Sequence, residues 1–125
     1  EKTEGSIVNI ASTRALQSEP NTEAYAAAKG GVVGLTHATA ASLAPKKINV
    51  NCICPGWIDV SGPEFGPGRE QMAISDEDKE QHFAGRIGTA QDIAEAVEYF
   101  HSARFVCGQI LPIDGGMTKK MIYHE

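Results

Sequence analysis

Two neighbouring stretches decide the fold: Gly5-Ser-Ile-Val-Asn-Ile-Ala-Ser12 and Glu23-Ala-Tyr-Ala-Ala-Ala-Lys-Gly-Gly31. In the first, the apolar, β-branched run Ser6 to Ala11 reads as a strand. The second opens a helix at about Thr22, and Thr13 to Asn21, with Pro20, forms the loop between them. Ser12 stands at the strand end, Tyr25 follows thirteen residues later, and Lys29 four after that. Helical spacing puts Tyr25 and Lys29 on one face, a turn apart. There the ammonium favours the charged form of the phenol, while Ser12 is placed to hold a substrate oxygen against it. That chemistry moves a proton on or off an alcohol or ketone oxygen. A bare Tyr-x-x-x-Lys is a common surface pattern. Its weight here comes from the strand-end Ser, the alanines around Tyr25 and the Gly30-Gly31 pair.

Working outward, the helix runs to about Leu43 or Ala44, where Pro45 stops it, with Asn21 or Thr22 as its cap. Ala27, Gly31, Gly34, Ala38 and Ala41 form a stripe of small residues on this helix. The stripe suits close packing, either on the chain's own sheet or on another subunit. Ile48 to Ile53 reads as a second strand, leading to Cys54-Pro55-Gly56 and Trp57. Residues 61–85 are rich in Gly, Pro and acids and read as an irregular lid or a disordered loop, with one helix at Asp76 to His82. Thr89 and Asp92 form a capping-box pattern before a helix whose apolar face is Ile93, Ala96, Val97 and Phe100. Gln109 to Ile113 is a third strand, ending at Asp114-Gly115-Gly116. Strands alternating with helices predict an α/β fold with a parallel sheet and right-handed crossovers, half of a doubly wound sheet.

Composition bounds the function. At 125 residues the chain holds one domain at most, and 42% hydrophobic with 22% charged residues is ordinary for a globular protein. A net charge of −5 argues against nucleic acid or an anionic membrane as partner, and no apolar run reaches spanning length. The three cysteines have no metal-site spacing and suit a reducing, cytoplasmic setting. Cys52 and Cys54, two apart in a strand, face one side as small core residues. His37, His82, His101 and His124 fall on separate elements, so no metal site is expected. Asp76-Glu77-Asp78 with Glu80 reads as a solvated helix start. Ser12 lacks the surroundings of a hydrolytic nucleophile. Glu1-Lys2-Thr3-Glu4 enters a buried-type strand abruptly without an initiator Met, which reads as a fragment.

The ordered motifs GSIVNIAS, YAAAKGGVVGLT, INVNCICPGWID, GRIGTAQDIAEAV and GQILPIDGG resemble the short-chain dehydrogenase/reductase family, from about Gly5 to Gly116. The resemblance implies the C-terminal half of a doubly wound parallel-sheet (Rossmann-like) fold. Its parts would be an active-site segment at 5–44, a strand and Pro-Gly turn at 48–60, a lid loop at 61–85, and the last helix and strand at 88–116. It implies an NAD- or NADP-dependent enzyme that interconverts a secondary alcohol and a ketone. Ser12 would orient the carbonyl, Tyr25 would act as general acid/base, and Lys29 would stabilise the tyrosinate and bind the nicotinamide ribose. Pro55, Gly56, Trp57 and Ile58 would lie beside the nicotinamide, Trp57 serving as a pocket wall or as plain packing. It also implies a homo-oligomer, dimer or tetramer, joined through the long helix.

Three departures qualify this. Val60 stands where many members have Thr, so a hydroxyl contact to the cofactor would come from Ser61. Ser102 to Phe105 is a residue or two shorter than usual. The family's Gly-rich dinucleotide loop and active-site Asn lie upstream of Ser12, and no G-x-G-x-x-G occurs in these residues. Gly66-Pro67-Gly68 follows no strand and is no substitute. The alternative expectation is therefore a non-catalytic half-domain whose open sheet edge pairs with itself or with a partner chain.

Overall fold

A computed structural model describes residues 4–124; Glu1 to Thr3, where the sequence starts abruptly, and Glu125 lie outside the described residues. Three strands form one parallel sheet in the order β1 (Gly5–Ile10), β2 (Ile48–Pro55), β3 (Ile110–Ile113). Gly5 pairs with Ile48 and Cys52 with Ile110, so the strands end together on one side. The expected α/β alternation is present, with β2 running two residues further than the expected Ile48 to Ile53.

The central strand is the most deeply buried element, although it carries Asn49 and Asn51. Val50 to Cys54 of β2 are fully buried, because β2 has a neighbour on each edge and a layer on each face. Cys52 and Cys54 face one side, where with Ala11 they meet Val32 and Val33 of α1 (Glu23–Leu43). Ile53 faces the other side and packs on Ala96 and Phe100 of α3 (Ala90–Ser102), with Val8 and Leu111 beside it. The result is a helix–sheet–helix sandwich. Buried His82 leaves its Nε2 without a hydrogen-bond partner among the described residues, whereas the two polar side chains buried around β2 are satisfied: Thr36 donates to Val32 O at 2.8 Å and accepts from Asn9 Nδ2 at 3.1 Å. Asn51 donates to Val106 O and accepts from Gln109 N, both at 3.0 Å, which ties β2 to the chain entering β3.

The capping box that opens α3 forms as its sequence predicts. Thr89 N donates to Asp92 Oδ2 at 2.7 Å and Thr89 Oγ1 accepts from Asp92 N at 3.3 Å. Thr22 does occupy the cap position of α1, but its hydroxyl donates backward to Glu19 O at 2.8 Å instead of capping. α2 (Asp76–Glu80) is shorter than the expected helix to His82 and begins with a second capping box, Ser75 with Asp78.

The small-residue stripe does not pack on the sheet. Ala27, Gly31, Ala38 and Ala41 are exposed, whereas Val32, Val33, Thr36 and Ala40 turn inward. The two sets lie on opposite sides of the helical wheel. Burying the larger valines removes more apolar area from water, so they take the sheet face.

Candidate active site

The C-terminal ends of parallel strands leave an open edge where loops gather, and this is where an α/β sheet places its ligands. Ser12 follows β1 there, 8% exposed, and caps a single 3-10 turn, Thr13–Ala15. Its Oγ accepts from Arg14 N at 3.1 Å, which leaves the hydroxyl proton free to donate. Tyr25 lies in the first turn of α1 and is 50% exposed. Lys29 Nζ lies 5.7 Å from the Tyr25 ring centroid, within cation–π range. Neither the Tyr25 hydroxyl nor the Lys29 ammonium has a hydrogen-bond partner among the described residues.

Ser12 and Tyr25 share a cleft of ≈ 720 Å³ with Gly56, Trp57 and Ile58 of the turn after β2, and with Arg14. Tertiary closure brings these three segments together. Gly56 sits so close to the end of β3 that its amide donates to Ile113 O at 2.9 Å, and a Cβ there would meet Asp114 Cβ at 2.7 Å. Trp57 O accepts from Gly88 N at 3.0 Å, which ties the turn after β2 to the segment that leads into α3. The Trp57 ring also lies 6.5 Å from that of His82, whose Nδ1 is 2.9 Å from Asp78 O. The carbonyl can only accept, so Nδ1 carries the proton. On the far side of Trp57 a second cavity of ≈ 420 Å³ is lined by Ile58, Tyr99, Leu111 and the Arg86–Asp92 pair.

Lys29, Pro55 and Ser61 are not part of the cleft lining. Pro55 ends β2, paired with Ile113. Ser61 is engaged elsewhere: its Oγ donates to Asp59 Oδ1 at 2.5 Å and accepts from Met72 N at 2.9 Å. Gln71 Nε2 bonds both Asp59 Oδ2, at 2.9 Å, and Ser61 Oγ, at 3.1 Å. This cluster folds the first part of the 61–85 loop back on its own root. The hydrogen bonds from Ser61 hold the Asp59 carboxyl below its ordinary range.

Other perturbed groups have structural causes. The Arg86 guanidinium, bonded to Asp92 at 2.6 and 2.8 Å, together with the Thr89 amide, holds the Asp92 carboxyl well below the usual range. Burial pushes Asp114 up, but the Thr118 hydroxyl and the Gly116 and Thr118 amides outweigh it and leave the carboxyl lowered. Burial, reinforced by Cys52, pushes the Cys54 thiol up to about 11. No cluster of His, Cys, Asp or Glu able to hold a metal occurs among the described residues, and no helix there is long and apolar enough to cross a membrane.

The residues fit the nicotinamide end of a dinucleotide. The cleft is open, and it is floored by a side-chain-free Gly56 with the flat Trp57 next to it. The hydroxyl of Ser12 on its other wall has a proton to give, and that of Tyr25 is unpartnered. Sequence reasoning missed Arg14, Gln81 and Met117, which also line the cleft. For Arg14 the signal was its place two residues beyond Ser12.

A family model described as enoyl-(acyl carrier protein) reductase matches residues 1–118. An oxidoreductase of Thermotoga maritima, itself uncharacterized, is 48% identical over 124 residues, covering 97% of this chain and 48% of its own length. Among solved structures, an apo SCOR enzyme from Clostridium thermocellum superposes with a TM-score of 0.81 at 48% identity, covering 95% of this chain and 44% of that one. A 4-hydroxyisoleucine dehydrogenase complexed with NADH gives a TM-score of 0.75 at 35% identity, with 93% and 47% covered. The chain thus spans about half the length of the relatives it matches.

Proposed function

The chain belongs to the short-chain dehydrogenase/reductase family, and from that premise we propose that it carries the proton-transfer site of an NAD- or NADP-dependent oxidoreductase interconverting a secondary alcohol and a ketone. The observation that carries this reading is the convergence of Ser12, Tyr25 and the Gly56-Trp57-Ile58 turn on one cleft at the strand ends. When bound, the nicotinamide supplies the hydride donor or acceptor.

This chain's residues handle the oxygen. The Ser12 hydroxyl donates to the substrate oxygen and fixes it near the phenol. Tyr25 takes the proton from an alcohol or returns it to a ketone. Lys29, over the Tyr25 ring, stabilises the negative charge that forms when the phenol is deprotonated. Gly56, Trp57 and Ile58 would hold the nicotinamide, with Pro55 ending the strand behind them. Ser61 turns from the Asp59–Gln71 cluster toward the cofactor only if that cluster opens. The exposed small-residue face of α1 serves as the contact between copies of the chain.

The test is Tyr25→Phe in the intact native protein, which keeps the ring and removes the exchangeable proton. Turnover should fall ~10²–10⁴-fold, the usual share of general acid–base catalysis. Near-normal turnover overturns the assignment. A second reading, a half-domain that pairs through its sheet, is favoured by one observation. The outer edge of β1 has no strand partner among the described residues, and Ile7 and Ile10 beside it are 39% and 44% exposed.

A further inference from the structure

Arg14 is the one formally charged side chain in the lining of the 720 Å³ cleft, in a chain whose net charge is −5. Its position is built. It sits in the 3-10 turn that Ser12 caps, and its own amide is bonded to the Ser12 hydroxyl at 3.1 Å. Its Nη1 is held by Glu19 Oε1 at 2.5 Å across the loop. Glu19 engages only that nitrogen. Nε and Nη2 have no partner among the described residues, and together they form the guanidinium edge that presents two parallel N–H groups. Such an edge matches the two oxygens of a carboxylate. The Arg14–Glu19 pair is solvent-exposed on both sides, so it adds little to the stability of the fold.

We propose that Arg14 determines specificity in this cleft by binding a carboxylate on the substrate, so that the substrates are secondary hydroxy acids and the corresponding keto acids. The proposal rests on the oxidoreductase reading above. Glu19 orients the guanidinium, and the Ser12–Arg14 hydrogen bond couples the carboxylate position to the hydroxyl that holds the reacting oxygen.

The test compares racemic 2-, 3- and 4-hydroxypentanoate with their methyl esters, using NAD and NADP, in the native protein and in Arg14→Met and Arg14→Lys. The ester keeps the shape and removes the charge. At least one acid should be preferred over its ester. Arg14→Met should lower kcat/KM for that acid ~10–100-fold, mainly through KM, while the esters change less than ~3-fold. Arg14→Lys should recover part of the loss. Trp57, the only tryptophan of the chain, lines the same cleft and reports binding without turnover when Tyr25→Phe is the background.

Equal use of acid and ester, or equal losses on both in Arg14→Met, overturns the carboxylate site and leaves the oxidoreductase reading standing. Arg14-dependent quenching by the acid with no turnover of any compound keeps the carboxylate site and removes the oxidoreductase reading. The absence of both turnover and quenching overturns the proposal.

Discussion

Replacing Gly56 by Ala tests whether the cleft floor depends on close approach between two strand ends. The added Cβ would lie 2.7 Å from Asp114 Cβ and 3.0 Å from Asp114 Cα. Carbon atoms pack at ~3.5–4.0 Å, so the turn after β2 must move from β3 by about 0.8 Å. Both opposing atoms belong to backbone or its first carbon, so no side-chain rotation relieves the contact. Overpacking of this kind costs ~1–3 kcal/mol. The Gly56 N–H bond to Ile113 O, 2.9 Å long, weakens with the same movement, adding ~0.5–1.5 kcal/mol. The total is ~2–4 kcal/mol, a large fraction of a domain's stability.

Urea unfolding followed by Trp57 fluorescence should show a midpoint lower by ~1–2 M. Trp57 adjoins Gly56, and a wall displaced by nearly 1 Å lowers kcat/KM ~10²-fold. Gly30→Ala is the control, since nothing lies within 4 Å of its Cβ position. Helix propensity there should raise stability by ~0.5–1 kcal/mol. A Gly56→Ala midpoint within ~0.2 M of the parent refutes the close-approach argument.

Three further outcomes follow from other parts of the molecule. Gly34→Leu puts a large side chain on the face of α1 where nothing lies within 4 Å; sedimentation should show oligomers dissociating with helicity retained, and an unchanged mass rules out that contact and points to the β1 edge. Cys107 is exposed while Cys52 and Cys54 are buried, Cys54 with its thiol pushed up to about 11. A disulfide reagent at pH ~8 should therefore label one thiol in the folded chain and three after unfolding, and labelling of more than one under native conditions contradicts the packing of β2. Asp92 has a lowered carboxyl pKa in the fold against an ordinary 3.8, so its stabilisation is complete above that value and fades as pH falls below it. Asp92→Asn should reduce thermal stability at neutral pH and shrink the loss between pH ~4 and ~2; an unchanged acid profile would exclude the Arg86–Asp92 pair as its source.

Much of the frame is legible in the chain itself because its causes are local. The β2 strand, the Thr89–Asp92 box and the four-residue step from Tyr25 to Lys29 each rest on residues within a turn or a strand of one another. Their geometry follows from the backbone repeat, whatever the rest of the chain does. The motif order extends this to family membership and to the cleft that Ser12 and Tyr25 both line, across a loop short enough to leave little choice of position.

Closure of the fold decided what depends on competition between distant groups. The small residues of α1 were equally able to face the sheet until Val32 and Val33 offered more area to bury. The Ser61 hydroxyl had a free choice of partner until Asp59, Gln71 and the Met72 amide folded onto it. Gly56 reads as part of a Pro-Gly turn in sequence, but its need to be glycine comes from Asp114, which the parallel register of β2 and β3 sets against it. Arg14 is an ordinary loop arginine by sequence. It becomes the charge of the cleft only because Ser12 caps its turn and Glu19 holds its guanidinium there. Local repeats are written in the residues they join, whereas the partner of a side chain is settled by which groups the packed sheet brings within reach.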